Sequence, residues 1–145
     1  IPDEVSELGL AAVTVNVVIH RLVSLEQQPG HTPFEWQGRT YFANDQVAAE
    51  LDRTFRQAAE EGLLVSVIVL VANPAKSEEA RIDLLGHPEA AASAMFAMPN
   101  MNAEDGVGLY GAILDWMASR WSGGEEGRIH HWIMHNEVDA GWVWT

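Results

Sequence analysis

The 145-residue sequence sets 8 Lys and Arg against 21 Asp and Glu, a formal charge of −13, with 48% hydrophobic and 20% charged residues. That length is one domain, and the composition is globular and not disordered. The acidic balance excludes a phosphate-tracking nucleic-acid surface, and zero Cys excludes a disulfide scaffold, a thiol nucleophile and a cysteine zinc site. No apolar run approaches the roughly 18–20 residues of a membrane span. The chain opens on Ile1 with neither an initiator Met nor a signal-peptide pattern, so it is expected to be a processed or excised piece.

In chain order, the first apolar run is 10–19 (LAAVTVNVVI), rich in Val and nearly continuous. Residues 34–42 (FEWQGRTYF) place aromatic and β-branched residues around Gln37-Gly38, which predicts a small hairpin outside the main sheet. Over 46–61, Val47, Leu51, Phe55 and Ala58 make one helical stripe, with Asn44 or Asp45 to cap its start and Gly62 its end. The acids of this helix, among them Glu50, Asp52, Glu60 and Glu61, read as a solvated face. The second run, 63–72 (LLVSVIVLVA), matches the first, and both have the pattern of strands buried on two faces, as parallel sheets require.

Pro88 is expected to open a short Ala-rich helix as far as Phe96. A second long helix, 106–121, aligns Tyr110, Ile113, Leu114, Met117 and Trp121, with Asn102 or Asp105 as its cap and Gly123-Gly124 as its stop. The third run, 129–138 (IHHWIMHNEV), is more polar. Strands alternating with helices predict an α/β fold, a parallel βαβαβ segment forming a single unit over 1–145. An open doubly wound sheet and part of a (β/α)8 TIM barrel both fit. A whole barrel needs about 250 residues, so this chain would supply three or four of the eight strands.

The third run ends His135-Asn136-Glu137-Val138-Asp139, followed by Ala140-Gly141-Trp142-Val143-Trp144-Thr145. A carboxylate beside an amide at the C-terminal end of a parallel strand is costly to bury, and strand ends on that side are where barrel active sites sit. Partial burial there raises a Glu pKa toward the working pH, which suits acid–base chemistry.

The Asn136-Glu137 pair resembles the Asn-Glu signature on strand four of the retaining (β/α)8-barrel glycosidase superfamily. The runs GRIHHWIMHNEVDAGWVWT, FEWQGRTYF and FAMPNMNAEDGVGLY are similar to an uncharacterised bacterial family of predicted barrel glycosidases, so the resemblance spans most of the chain. It implies that the three apolar runs are barrel strands two to four. It also implies that Glu137 is the general acid/base of O-glycosyl hydrolysis and that Asn136 hydrogen-bonds the sugar 2-hydroxyl. Val138 stands where many relatives have Pro, and His135 where many have a small residue. A retaining mechanism needs a second carboxylate about 5–5.5 Å from the first, which the superfamily takes from strand seven. The chain is therefore expected to be an incomplete barrel, inactive alone, partnered by the missing remainder or by self-association. The resemblance implies a secreted or periplasmic setting.

Around Glu137, Trp142 and Trp144 are candidates for a sugar-stacking wall, with burial in the core as the alternative. His135 is placed to orient Glu137. His130, His131 and His135 invite a metal, but His131 and His135, four apart on a strand, are about 13 Å apart, so no metal is expected, and no cofactor. Asn16 and His20-Arg21 lie in and after the first strand. Asn73-Pro74, and 98–102 with Asn100, are substrate-loop candidates by position. No phosphate loop or nucleophile elbow is present. The second function class open to the sequence is a non-catalytic carbohydrate-binding α/β domain.

Overall fold

The computed structural model describes residues 7–76 and 80–135. Its elements are β1 (Ala12–Val18), a 3-10 turn (Ile19–Arg21), β2 (Val23–Ser24), β3 (His31–Trp36), β4 (Arg39–Asn44) and α1 (Asp45–Glu60). Then come β5 (Leu64–Ala72), a second 3-10 turn (Pro74–Lys76), α2 (Ala80–Leu85), β6 (Phe96–Ala97), α3 (Glu104–Trp121), β7 (Ser122–Gly124), β8 (Gly127–Arg128) and β9 (His131–Ile133). The protein is mixed α/β.

The three predicted apolar runs all enter one sheet. β5 is its centre, parallel to β1 (Asn16 opposite Ile68) and parallel to β9 (Ile68 opposite Ile133). Because both partners meet the same residues of β5, they occupy its two edges, and the parallel order is β1-β5-β9. The short β6 turns back antiparallel along the C-terminal end of β5, with Ala97 opposite Val71 and Phe96 opposite Ala72.

Strand side chains alternate between faces. Val65, Val67, Val69 and Val71 are buried in the core with Phe55 and Ala58 of α1 and Leu109, Ala112, Ile113, Met117 and Trp121 of α3. The opposite face is largely open, with Leu70 buried at the C-terminal end of β5, which corrects the expectation of burial on both faces. Thr14, Asn16 and His131 are exposed there, Ser66 and Ile68 are half-buried, and Leu64 and Ile133 are 45% and 38% exposed. Within these described residues, helices cover the valine face only, so the continuous apolar sequence of β5 outruns its cover.

Local chemistry accounts for the element ends. Asn44 caps α1, its Oδ1 accepting from the N–H groups of Gln46 and Val47, each at 3.2 Å. At the other end Gly62 takes φ +69°, and Leu63 N–H reaches Ala58 O at 2.8 Å while Gly62 N–H reaches Ala59 O at 3.1 Å, the Schellman pattern. The predicted hairpin turns at Gln37 (φ +48°) and Gly38 (φ +78°), the left-handed pair of a two-residue hairpin. It belongs to a separate antiparallel sheet, β2-β4-β3. This sheet lies on α3, where a Cβ at Gly111 would meet the Trp36 indole at 2.7 Å.

Three expectations are corrected. No helix forms over 88–96; residues 88–95 are turns and irregular chain and Phe96 opens β6, because the Asn73 Nδ2 donates to the carbonyls of Ala91 (2.9 Å) and Ala94 (2.8 Å). Helix α3 has Ala103 at its N-cap with no side-chain cap: Asn102 falls one residue before the cap, its carboxamide Nδ2 3.4 Å from His87 Nε2, and Asp105, already in the first turn, pairs with Arg39 at 2.8 Å. Asp52 is not on a solvated face: it is 4% exposed and receives Arg120 Nε (2.9 Å), Arg120 Nη2 (2.6 Å) and Trp121 Nε1 (2.9 Å). This knot joins α1 to α3. Its sequence signal was Asp52 occupying the same helix face as Ala48 and Phe55.

Candidate functional site

Helix α3 runs back from the C-terminal end of β5 to the start of β9, which brings Tyr110, in its first half, to the end of the strands where the chain leaves β9. There the Tyr110 hydroxyl lies 3.0 Å from His135 Nε2, with the two rings stacked at 5.8 Å and 26°. Burial pushes the Tyr110 hydroxyl pKa up to about 12 and holds His135 below its ordinary value, so both groups are neutral near pH 7.

His135 lines a cavity of about 290 Å³ on the open side of the sheet. Asn16 of β1 and Ile68 of β5, opposite each other in register, form its floor with Leu70, and Met95, Phe96 and Met98 add an apolar wall. The wall is tied down on several sides. His87 N–H donates to Met98 O and Asn100 N–H to Leu85 O, both at 2.8 Å, while the Asn73 carboxamide holds the turns that lead into Met95. Asn73 Oδ1 also accepts from Ala75 N–H at 2.9 Å, so its polar atoms are committed to the loop.

The sequence candidates fall in several places. His135 and Asn16 share the cavity. Asn100 is buried, with its Oδ1 on the Asn102 N–H, and Met101 and Asn102 line a different hollow of about 480 Å³ beside Trp36, Arg39 and Asp105. His20 and Arg21 line a third hollow, with Asn44, Gln46 and Arg81. His130 Nδ1 accepts from Val65 N–H at 3.0 Å, and His131 Nδ1 lies 3.1 Å from Ser66 Oγ, so these rings serve the β5 pairing. Among the described residues no cluster of three His, Asp or Glu side chains could hold a metal. No described helix is long and apolar enough to cross a membrane. Asn136, Glu137, Trp142 and Trp144 lie outside the described residues.

Tyr110 carried no functional signal in the sequence, where it is one apolar position of the α3 stripe. Its hydroxyl acquires a partner only because the segment after β9 brings His135 beside it.

No curated protein and no solved structure matches the chain. The model of a family of unknown function, DUF5722, matches residues 1–145, and the chain belongs to that family.

Proposed function

We propose that this chain is the strand-two-to-four section of a retaining (β/α)8-barrel glycoside hydrolase, with Glu137 as general acid/base and Asn136 on the sugar beside the anomeric carbon. The observation that carries this reading is the winding of the sheet. Consecutive strands β1, β5 and β9 are neighbours in that order, and α1 and α3 both pack on the valine face. Crossovers of one hand that all advance in one direction put every helix on one side. One half of a doubly wound sheet winds the same way but has its other face covered by the helices of its second half, whereas a barrel keeps its helices outside and its strands' other face inside. The open face bearing Leu64, Ile68 and Ile133 fits the inward side of a barrel wall.

In this reading Glu137 gives its proton to the departing glycosidic oxygen as a second carboxylate attacks the anomeric carbon. The Glu137 carboxylate then takes a proton from water, whose oxygen displaces the enzyme carboxylate and releases the sugar. The second carboxylate comes from a later strand of the longer protein.

The test uses that full-length protein and a panel of 2,4-dinitrophenyl glycosides. Glu137→Ala is expected to lose about 10²- to 10⁴-fold in turnover. Added azide then restores turnover and yields a glycosyl azide of retained configuration. Turnover equal to the wild type in Glu137→Ala sinks the assignment.

A further inference from the structure

The cavity beside His135 has a chemical selectivity that can be read from its hydrogen bonds. The Tyr110 side chain is buried, and among the described residues His135 Nε2 is the partner of its hydroxyl. If the imidazole donated to Tyr110, the phenolic proton of this part-buried pair would be left without an acceptor among the described residues. The hydroxyl therefore donates to Nε2, and the ring proton sits on Nδ1. Among the described residues Nδ1 has no hydrogen-bond partner, and His135 borders the cavity.

The other polar lining is Asn16, exposed on β1 and able both to donate and to accept. Ile68, Phe96 and Met98 are apolar, and no described charged side chain lines the space. A volume of about 290 Å³ lies at the small end of ligand pockets, enough for one ring. The fitting occupant is neutral and ring-sized, with an apolar face for Phe96 and Met98 and hydroxyl oxygens for the two polar groups.

Resting on the glycosidase reading, we propose that this cavity is a subsite for one neutral pyranose ring. Tyr110 holds His135 as an Nδ1–H donor to a sugar hydroxyl oxygen, and Asn16 binds a second hydroxyl. Tyr110 is a positioning residue, acting through His135. The site discriminates against anionic sugars, because neither His135 nor Asn16 supplies a positive charge.

The test is NMR of the full-length protein with ¹⁵N-labelled histidine, titrated with methyl glycopyranosides of glucose, galactose, mannose and xylose, and with methyl glucuronide. The expected spectrum shows His135 as a single Nδ1–H tautomer whose signals move with at least one neutral glycoside and not with the glucuronide. Asn16→Ala, at an exposed position, keeps the fold and weakens that glycoside about tenfold, as losing one hydrogen bond should. Tyr110→Phe keeps the stacked ring, yields mixed His135 tautomers and weakens binding severalfold. An Nε2–H tautomer in the wild type, or no response of His135 to any neutral glycoside, overturns the proposal. Loss of turnover in Glu137→Ala alongside a silent His135 rejects the subsite and keeps the hydrolase. A responsive His135 with fully active Glu137→Ala keeps the subsite and rejects the hydrolase.

Discussion

The Tyr110 hydroxyl and His135 Nε2 lie 3.0 Å apart under stacked rings, joining the first half of α3 to the segment that follows β9. Two neutral groups held together by burial make stability depend on pH at both ends of the scale. For His135, burial lowers the folded pKa below 6.5, so the unfolded chain takes up the proton first as pH falls. Stability therefore drops from about pH 6.5 down to the folded pKa and levels off below it. For Tyr110 the folded hydroxyl ionises at about 12 against 10.0 for an ordinary tyrosine. The unfolded chain loses its proton first, and stability drops as pH rises from 10 toward 12. Urea unfolding against pH should show both slopes, with His135→Gln removing the acid one and Tyr110→Phe the alkaline one. Slopes unchanged in these variants would place the titration elsewhere.

Asp52 is the polar link between α1 and α3. Burial alone would raise its pKa, but the hydrogen bonds from Arg120 and Trp121 outweigh this and hold the carboxyl below its ordinary value. Its contribution to stability is present above the unfolded pKa of about 3.9 and is lost as pH falls through the folded value. Asp52→Ala leaves Arg120 and the Trp121 indole without their acceptor. The expected cost is about 3 kcal/mol, the low end for a broken buried pair because Arg120 keeps some solvent. Chemical denaturation at pH 7 measures it, and a cost below about 1 kcal/mol would mean the pair behaves as a surface bridge.

Asn73 ties the cavity wall to the end of β5 with three hydrogen bonds. Asn73→Ala should cost about 3 kcal/mol from the orphaned loop groups. It should also raise proteolytic cleavage within 88–98 ahead of global unfolding. Cleavage rates equal to the wild type would show that the backbone ties at His87 and Asn100 suffice.

The Asn44 cap tests the local sequence signal directly. Asn44→Ala removes the acceptor for two N–H groups at the start of α1 and should destabilise by about 1 kcal/mol, with Asn44→Asp close to neutral. Thermal unfolding of the pair of variants separates capping from any wider effect.

The sequence by itself determined the elements whose causes are local. Val-rich runs became β1 and β5, Gln37-Gly38 made the hairpin turn, and Asn44 and Gly62 bounded α1, because backbone preference and capping act within a few residues. The stripe from Tyr110 to Trp121 likewise announced α3. What needed the tertiary structure is every relation across long separation. The burial of Asp52 depends on Arg120 and Trp121, 68 and 69 residues away. The failure of 88–96 to form a helix depends on Asn73 reaching across to its carbonyls. The parallel runs looked buried on both faces because apolarity along a strand reports what a face can bury, while packing decides what covers it. Of the cavity, Asn16 was legible as a polar residue set in an apolar strand and His135 as part of the polar third run. Tyr110 was not, since a helical stripe does not distinguish a core tyrosine from one whose hydroxyl is met by a histidine just after another strand, and only the return of the chain through β9 supplied that partner.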